Sequence, residues 1–136
     1  MEHREYEGEM EDRVAILTSD ERVRLDRDRL AELTSQLGEQ EAENIICRAM
    51  EELAVRLSFT ERQFRQGKYA EIRKSARALV AIADQIGMYA LARVAGDVIA
   101  CVDRGDEVAL TAVLARLMRI GEQSLAAIWD RHDMRF

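Results

Sequence analysis

The chain has 136 residues, of which 48% are apolar and 34% are charged, with two cysteines, no proline and a formal net charge of −6. This apolar content excludes a disordered chain, two cysteines exclude a disulfide scaffold, and the length suits one domain with its own core. The longest stretch without Asp, Glu, Lys or Arg is eight residues, at 85–92 for example, so the sequence predicts no membrane span. An acidic balance without a basic run argues against nucleic acid as a partner.

The negative charge is concentrated at the N-terminus. Residues 1–12 hold six acids and one arginine, a net charge of −5, whereas the remaining 124 residues hold 20 acids and 19 bases, a net charge of −1. An acidic beginning lacks the basic and apolar regions of a secretory signal, so we expect a cytoplasmic protein. The composition divides the chain into an acidic N-terminal tail at 1–23, a helical domain at 24–131 and a C-terminal tail at 132–136.

Apolar residues recur with the helical period of roughly 3.6 residues throughout the domain, and no segment alternates for long enough to be a strand. Glycines stand where this periodicity stops and restarts, as expected at helix ends. Asp26 and Asp106 are the expected N-caps of the first and last helices. The predicted all-α fold has five helices, at 26–37, 39–66, 68–86, 88–103 and from just after Gly105 to about 130.

Connections of only a few residues force neighbouring helices to run antiparallel. The second to fifth helices are therefore predicted to form an up-down-up-down four-helix bundle, with the short N-terminal helix covering one end. A single long coiled coil is the alternative, although a glycine at each junction interrupts its heptads. Gly96 and Gly121 fall inside helices, where glycine costs about 1 kcal/mol relative to alanine, and we expect close helix–helix contacts at both.

Side chains that carry enzyme chemistry are sparse. The two histidines, His3 and His132, have no histidine or cysteine partner at the spacing of metal ligands. Cys47 and Cys101 lie in apolar helical stretches that are typical of packing residues. The sequence contains neither a glycine-rich phosphate loop nor a G-x-S-x-G motif. We therefore predict a protein that is not an enzyme and that uses no metal or cofactor.

The third helix carries a basic strip on the side away from its apolar stripe. In the segment KYAEIRKSARALVAIADQIG, residues 68–87, this strip consists of Lys68, Arg73, Lys74 and Arg77. Arg73 and Arg77 are one turn apart, a like-charge pair that costs an isolated helix roughly a few tenths of a kcal/mol. The strip is either an ordinary solvated face or a docking surface for an acidic partner.

The strip belongs to a longer pattern of segments and glycines. Gly67 lies ten residues before Arg77, Gly87 ten residues after it, and Gly105 eighteen residues further on. With this spacing, residues 24–130 resemble a histidine-containing phosphotransfer (HPt) domain, the four-helix relay module of multi-step two-component signalling. Three segments carry the resemblance. RLDRDRLAELTSQLG (24–38) resembles the entry into the domain, and RQGKYAEIRKSARAL (65–79) resembles the helix of its phosphorylated histidine. VDRGDEVAL (102–110) resembles the turn before its last helix.

The chain departs from the family at the residues that carry its chemistry. The family's phosphoacceptor histidine falls on Arg77, the lysine three residues later on Val80, and the next glycine on Ala81. The structural positions Leu79 and Gly87 are kept. An imidazole accepts a phosphoryl group through a ring nitrogen with a free lone pair, whereas a guanidinium stays protonated and has none. The resemblance therefore implies the scaffold of an HPt domain without its phosphotransfer.

Intact family members dock the receiver domain of a response regulator on the face around the histidine. The resemblance implies that this chain is a non-catalytic HPt-like signalling protein, a phosphorelay adaptor or competitor that binds a receiver domain without carrying phosphate. The residues implied for this contact are Arg73, Lys74, Arg77, Val80, Ala81 and Asp84.

Two other functions stay open. The stretch 78–102 contains only three charged residues, which suits a self-associating structural module with no phosphorelay role. An active phosphocarrier would have to use His132 or His3. The sequence leaves the oligomeric state open between a monomer and a homodimer.

Overall fold

The computed structural model describes residues 26–134, with side chains described over 26–127. Within that part of the chain the fold is all-helical and contains no strand, which confirms the predicted class. The last helix continues past its predicted end near residue 130, and the predicted tail at 1–23 lies outside the described residues. The helices are α1 (Arg27–Leu37), α2 (Glu39–Arg65), α3 (Tyr69–Gln85), α4 (Tyr89–Arg104) and α5 (Glu107–Met134).

Both predicted N-caps are confirmed. The Asp26 carboxylate accepts hydrogen bonds from the backbone N–H of Asp28 at 2.8 Å and of Arg29 at 3.1 Å. At the start of α5, Asp106 Oδ1 accepts from the backbone N–H of Ala109 at 3.0 Å. Each carboxylate satisfies N–H groups that have no partner within their own helix, and its charge is favourable at the positive end of the helix dipole.

The connections after α2, α3 and α4 share one geometry. At each of them the helix ends in a Schellman motif, in which two N–H groups beyond the helix bond back to carbonyls of its last turn. After α3, for example, the N–H of Gly87 donates to Asp84 O at 3.2 Å and the N–H of Met88 donates to Ala83 O at 2.8 Å. The left-handed residues at these turns are Gly67, Gly87 and Gly105, with φ of +70°, +80° and +68°.

The start of α1 is held against the turn between α3 and α4. The backbone N–H of Asp26 donates to Gly87 O at 3.1 Å, and Arg29 Nε donates to Gln85 O at 2.8 Å. A Cβ atom on Gly87 would lie 3.0 Å from the Cβ atoms of both Asp26 and Arg29. This position therefore requires glycine for two reasons, its positive φ and the closeness of α1.

The apolar stripes of all five described helices meet in one core. Helix α2 contacts α1, α3 and α5, and α4 contacts α3 and α5. Burying a large apolar side chain completely contributes about 1.5–3 kcal/mol, so the fully buried positions dominate the stability of the fold. They include Leu53, Ile72, Leu79, Leu91 and Leu117.

Four of the described polar residues are buried in this core, and each makes a side-chain hydrogen bond: Thr60, Gln63, Ser75 and Ser124. The buried Oε1 of half-buried Gln123, by contrast, has no partner within the described structure. Ser75 Oγ on α3 donates to Gln63 Oε1 on α2 at 3.0 Å, which links the two helices inside the core. Thr60 and Ser124 each donate to the backbone carbonyl four residues earlier in their own helix, both at 2.7 Å. These bonds avoid the cost of a buried polar group without a partner.

The two glycines inside helices differ in their surroundings. A Cβ atom on Gly121 would lie 2.5 Å from Leu57 Cδ1 on α2, which confirms the predicted close contact at that position. At Gly96 the prediction is wrong, because a Cβ atom there would meet nothing within 4 Å. The α4 glycine is therefore not needed for packing inside the described part of the chain.

None of the described helices combines the length and the apolar character that a bilayer span requires.

Candidate functional site

The structure brings the six predicted docking residues to one face of α3. This face is opposite the buried stripe of the helix, which includes Ile72 and Leu79. Arg73 and Val80 are half-buried at its edge, and Val80 packs against the core. The exposed members of the six are Lys74, Arg77, Ala81 and Asp84.

Arg73 forms an ion pair that crosses to α4. Its Nε donates to Asp103 Oδ1 at 2.8 Å, and its Nη2 donates to Oδ2 at 3.3 Å. The hydrogen bond from Arg73 lowers the pKa of the Asp103 carboxyl, and the charge of Arg77 lowers it further. The same bond raises the pKa of the Arg73 guanidinium. A bidentate pair with a carboxylate holds Arg73 in place and neutralises its charge.

The strip on α3 is therefore less basic than the sequence suggested. Asp103 faces it from α4, and Lys74 Nζ lies 3.9 Å from Glu71 Oε2. Sequence reasoning missed Asp103, which is thirty residues away from Arg73 along the chain. The antiparallel arrangement of α3 and α4 could have indicated this pair, because the two residues lie at similar distances along the chain from the connecting turn at Gly87.

Arg77 has a different environment from Arg73. Its side chain is exposed, and within the part of the chain with described side chains it makes no hydrogen bond or ion pair. It is close enough to Asp103 to influence that carboxyl but is not bonded to it. Its guanidinium therefore keeps a full set of donors available to a binding partner.

Gly96 on α4 lies beside this surface. Helices α3 and α4 contact each other and run antiparallel because a short turn at Gly87 joins them. The ion pair of Arg73 with Asp103 shows which residues of the two helices lie at the same level. Val80 is seven residues closer to the turn than Arg73, and Gly96 is seven residues closer to it than Asp103. Val80 and Gly96 therefore also lie at the same level of the two helices. With its partly exposed backbone and no Cβ, Gly96 leaves the edge beside Val80 open.

We call this surface the Arg77 face. It is defined by Arg77, Val80, Ala81 and Asp84 on α3 together with Gly96 on α4. Two side chains of opposite charge stand at its ends, and its middle consists of small residues. Such a surface suits close contact with another macromolecule, because little conformational entropy is lost when small side chains are covered.

A groove on the described surface lies between α2 and α3 and has a volume of about 510 Å³. It is open to solvent and mixes apolar side chains with charged ones of both signs. Its lining residues are Ile45, Arg48, Ala49, Glu51, Glu52, Val55, Ile82 and Gln85. The carboxylates of this groove, Glu51 and Glu52, have no histidine, serine or cysteine beside them among its lining residues.

The two cysteines lie on different helices of the described structure. Cys47 is half-buried on α2 and Cys101 is buried on α4. Among the described residues, no group of three or more His, Cys, Asp or Glu side chains is arranged to hold a metal ion. His3 and the side chain of His132 lie outside the described part of the chain.

Comparison with known proteins identifies no relative, since no family model, no curated protein and no solved structure matches this chain.

Proposed function

We propose that this chain is a non-catalytic HPt-like signalling protein whose Arg77 face docks the receiver domain of a response regulator. The observation that carries the proposal is the state of Arg77: its guanidinium is exposed and without a bonded partner in the described structure, at the position where the family resemblance places the phosphoacceptor. The partner is expected to be acidic, because a receiver pocket offers carboxylates that a guanidinium can bind with two parallel hydrogen bonds.

The proposed scaffold for this contact is an up-down-up-down four-helix bundle of α2 to α5. Connections of two or three residues join these helices, which favours antiparallel neighbours. The helix contacts support this arrangement, because each helix touches the next and the last touches the first: α2 with α3, α3 with α4, α4 with α5, and α5 with α2. In this arrangement α5 lies diagonally across the core from α3, so the Arg77 face points away from it.

The proposed mechanism is binding alone. Arg77 stays protonated at any physiological pH and offers no lone pair, so it cannot take a phosphoryl group. Val80 and Ala81 are small enough to let a partner approach the helix closely. A protein with these properties would act as a phosphorelay adaptor, or would compete with a true phosphotransfer protein for the same receiver surface.

The proposal is tested by calorimetric titration of receiver domains from the same organism into the full chain. We expect Arg77→Glu to weaken binding at least about tenfold, equivalent to about 1.4 kcal/mol, because a carboxylate would then face a carboxylate. The matched control is Arg119→Glu, which makes the same change of net charge at an exposed position on α5. The proposal is refuted if no receiver domain binds, or if both variants bind as the wild type does.

A second measurement separates docking from phosphotransfer. The full chain is incubated with a phosphorylated receiver domain and then analysed for acid-labile phosphate. The docking proposal requires that the chain gain none. Phosphate on His132 or His3 would instead show an active phosphocarrier and overturn the non-catalytic assignment.

A further inference from the structure

We propose that the Arg77 face also pairs with a second copy of this chain, in a two-fold symmetric contact between antiparallel α3 helices. In this contact Arg77 of each copy binds Asp84 of the other. The inference goes beyond the proposed function and does not depend on it.

The arrangement of charge on α3 is the first argument. Arg77 and Asp84 are seven residues apart, which is close to two helical turns, so they lie on nearly the same line along the helix. Both side chains are exposed, and neither makes a hydrogen bond or ion pair within the described structure. When a helix of this kind meets its own copy in antiparallel orientation, the arginine of each lies opposite the aspartate of the other.

Two-fold symmetry forms the pair of Arg77 with Asp84 twice in each dimer. In a symmetric dimer the same patch is used on both subunits, so each pair of residues occurs twice. The symmetry axis would pass between Val80 and Ala81, midway between the two charged residues. The two charges on each patch cancel, so two copies approach without net repulsion, and Arg73 adds little because Asp103 already neutralises it.

The small residues at the middle of the face are the second argument. Glycine is unfavourable inside a helix, and no contact within the described structure requires it at Gly96. The open backbone at Gly96 and the short side chain of Ala81 allow a second helix to approach closely beside α3. The face thus has small side chains at its centre and charged side chains at its ends, as a short helix–helix contact requires.

The two uses of the Arg77 face exclude each other. Arg77 cannot bind Asp84 of a second copy and a carboxylate of another protein at the same time. Self-association would therefore compete with an acidic partner, and the effective affinity for that partner would fall as the concentration of this chain rises.

The test is the self-association of charge-exchange variants, measured by sedimentation equilibrium over a range of protein concentrations. We expect the wild type to dimerise, and Arg77→Asp and Asp84→Arg each to be at least about tenfold weaker because like charges would then meet. Arg119→Asp, a matched control on α5, should dimerise like the wild type. Circular dichroism of each variant checks that its helices are retained.

Two mixtures make the test specific for a symmetric contact. The double variant Arg77→Asp with Asp84→Arg exchanges the charges and should restore dimerisation. A mixture of the two single variants should form heterodimers, because each supplies the charges that the other lacks. The inference is overturned if the wild type stays monomeric up to about 1 mM, or if neither the double variant nor the mixture associates.

The same variants keep this inference separate from receiver docking. An acidic partner is not altered by the exchange, so the double variant should dimerise but should still fail to bind a receiver domain. Dimerisation without any receiver binding would support the inference and refute the proposed function. Receiver binding by a chain that never dimerises would support the proposed function and overturn this inference.

Discussion

The two glycines inside helices provide a matched pair of perturbations. Replacing either by alanine adds one methyl group and gives the helix the same gain in propensity, about 1 kcal/mol. At Gly96 the added carbon would meet nothing within 4 Å, whereas at Gly121 it would lie 2.5 Å from Leu57 Cδ1 and 2.9 Å from Leu57 Cδ2. The two variants therefore differ only in the steric term.

The magnitudes follow from these surroundings. Gly96→Ala should raise the free energy of unfolding by about 1 kcal/mol, since the propensity gain is unopposed. Overpacking a core costs about 1–3 kcal/mol, and Leu57 is a buried core residue whose side chain would have to shift to admit the new carbon. Gly121→Ala should therefore lower the free energy of unfolding by up to about 2 kcal/mol. The difference between the two variants, about 1–3 kcal/mol, measures the contact with Leu57 alone.

Urea unfolding followed by circular dichroism measures both values, at a protein concentration low enough that self-association adds nothing to stability. A difference of 1 kcal/mol corresponds to a shift of about 4 °C in Tm. A third variant identifies the cause: Leu57→Ala should cost less in the Gly121→Ala background than in the wild type, because the added methyl partly fills the cavity. Equal stability of Gly96→Ala and Gly121→Ala would refute this reasoning.

Three further predictions concern the turn at Gly87, the buried polar pair and the ion pair on the surface. Gly87→Ala should destabilise the fold by more than about 1–2 kcal/mol, because the left-handed backbone and the contact with α1 both disfavour a side chain. Ser75→Ala should cost about 1–3 kcal/mol, because it leaves Gln63 Oε1 buried without its donor; urea unfolding measures both. Arg73→Gln should raise the pKa of Asp103 towards its ordinary value, as followed by NMR titration of the carboxyl. Since folding lowers this pKa, the ion pair contributes stability above the unfolded-state pKa and loses it as the pH falls through the folded value.

Each of these predictions has a control in the same chain. The control for Gly87→Ala is Gly67→Ala, because Gly67 has a similar positive φ but open space around an added carbon. An equal loss in the free energy of unfolding for the two variants would contradict the proposed role of α1. Adding Gln63→Leu to Ser75→Ala should recover most of the loss, and no recovery would show that the hydrogen bond is not the cause. Lys74→Gln removes a neighbouring charge and should leave the pKa of Asp103 nearly unchanged, since Asp103 is bonded to Arg73.

Features that depend on neighbours along the chain were predictable. Asp26 and Asp106 cap their helices as expected, and the turn glycines have the expected positive φ.

The candidate site was predictable only in part. Arg77, Ala81 and Asp84 share an exposed face because helical periodicity puts them there. Arg73 could not be recognised as a neutralised residue, because its partner belongs to another helix.

The sequence by itself determined the all-helical class, the caps and the positions of the turns, since these result from contacts within a few residues. Only the tertiary structure decided which distant residues meet. It placed Asp103 against Arg73, brought α1 onto Gly87, and gave Gly121 a neighbour while leaving Gly96 without one. The physical reason is that helix periodicity specifies which face of a helix is buried, whereas the register and the separation of packed helices depend on side chains from segments far apart in the chain.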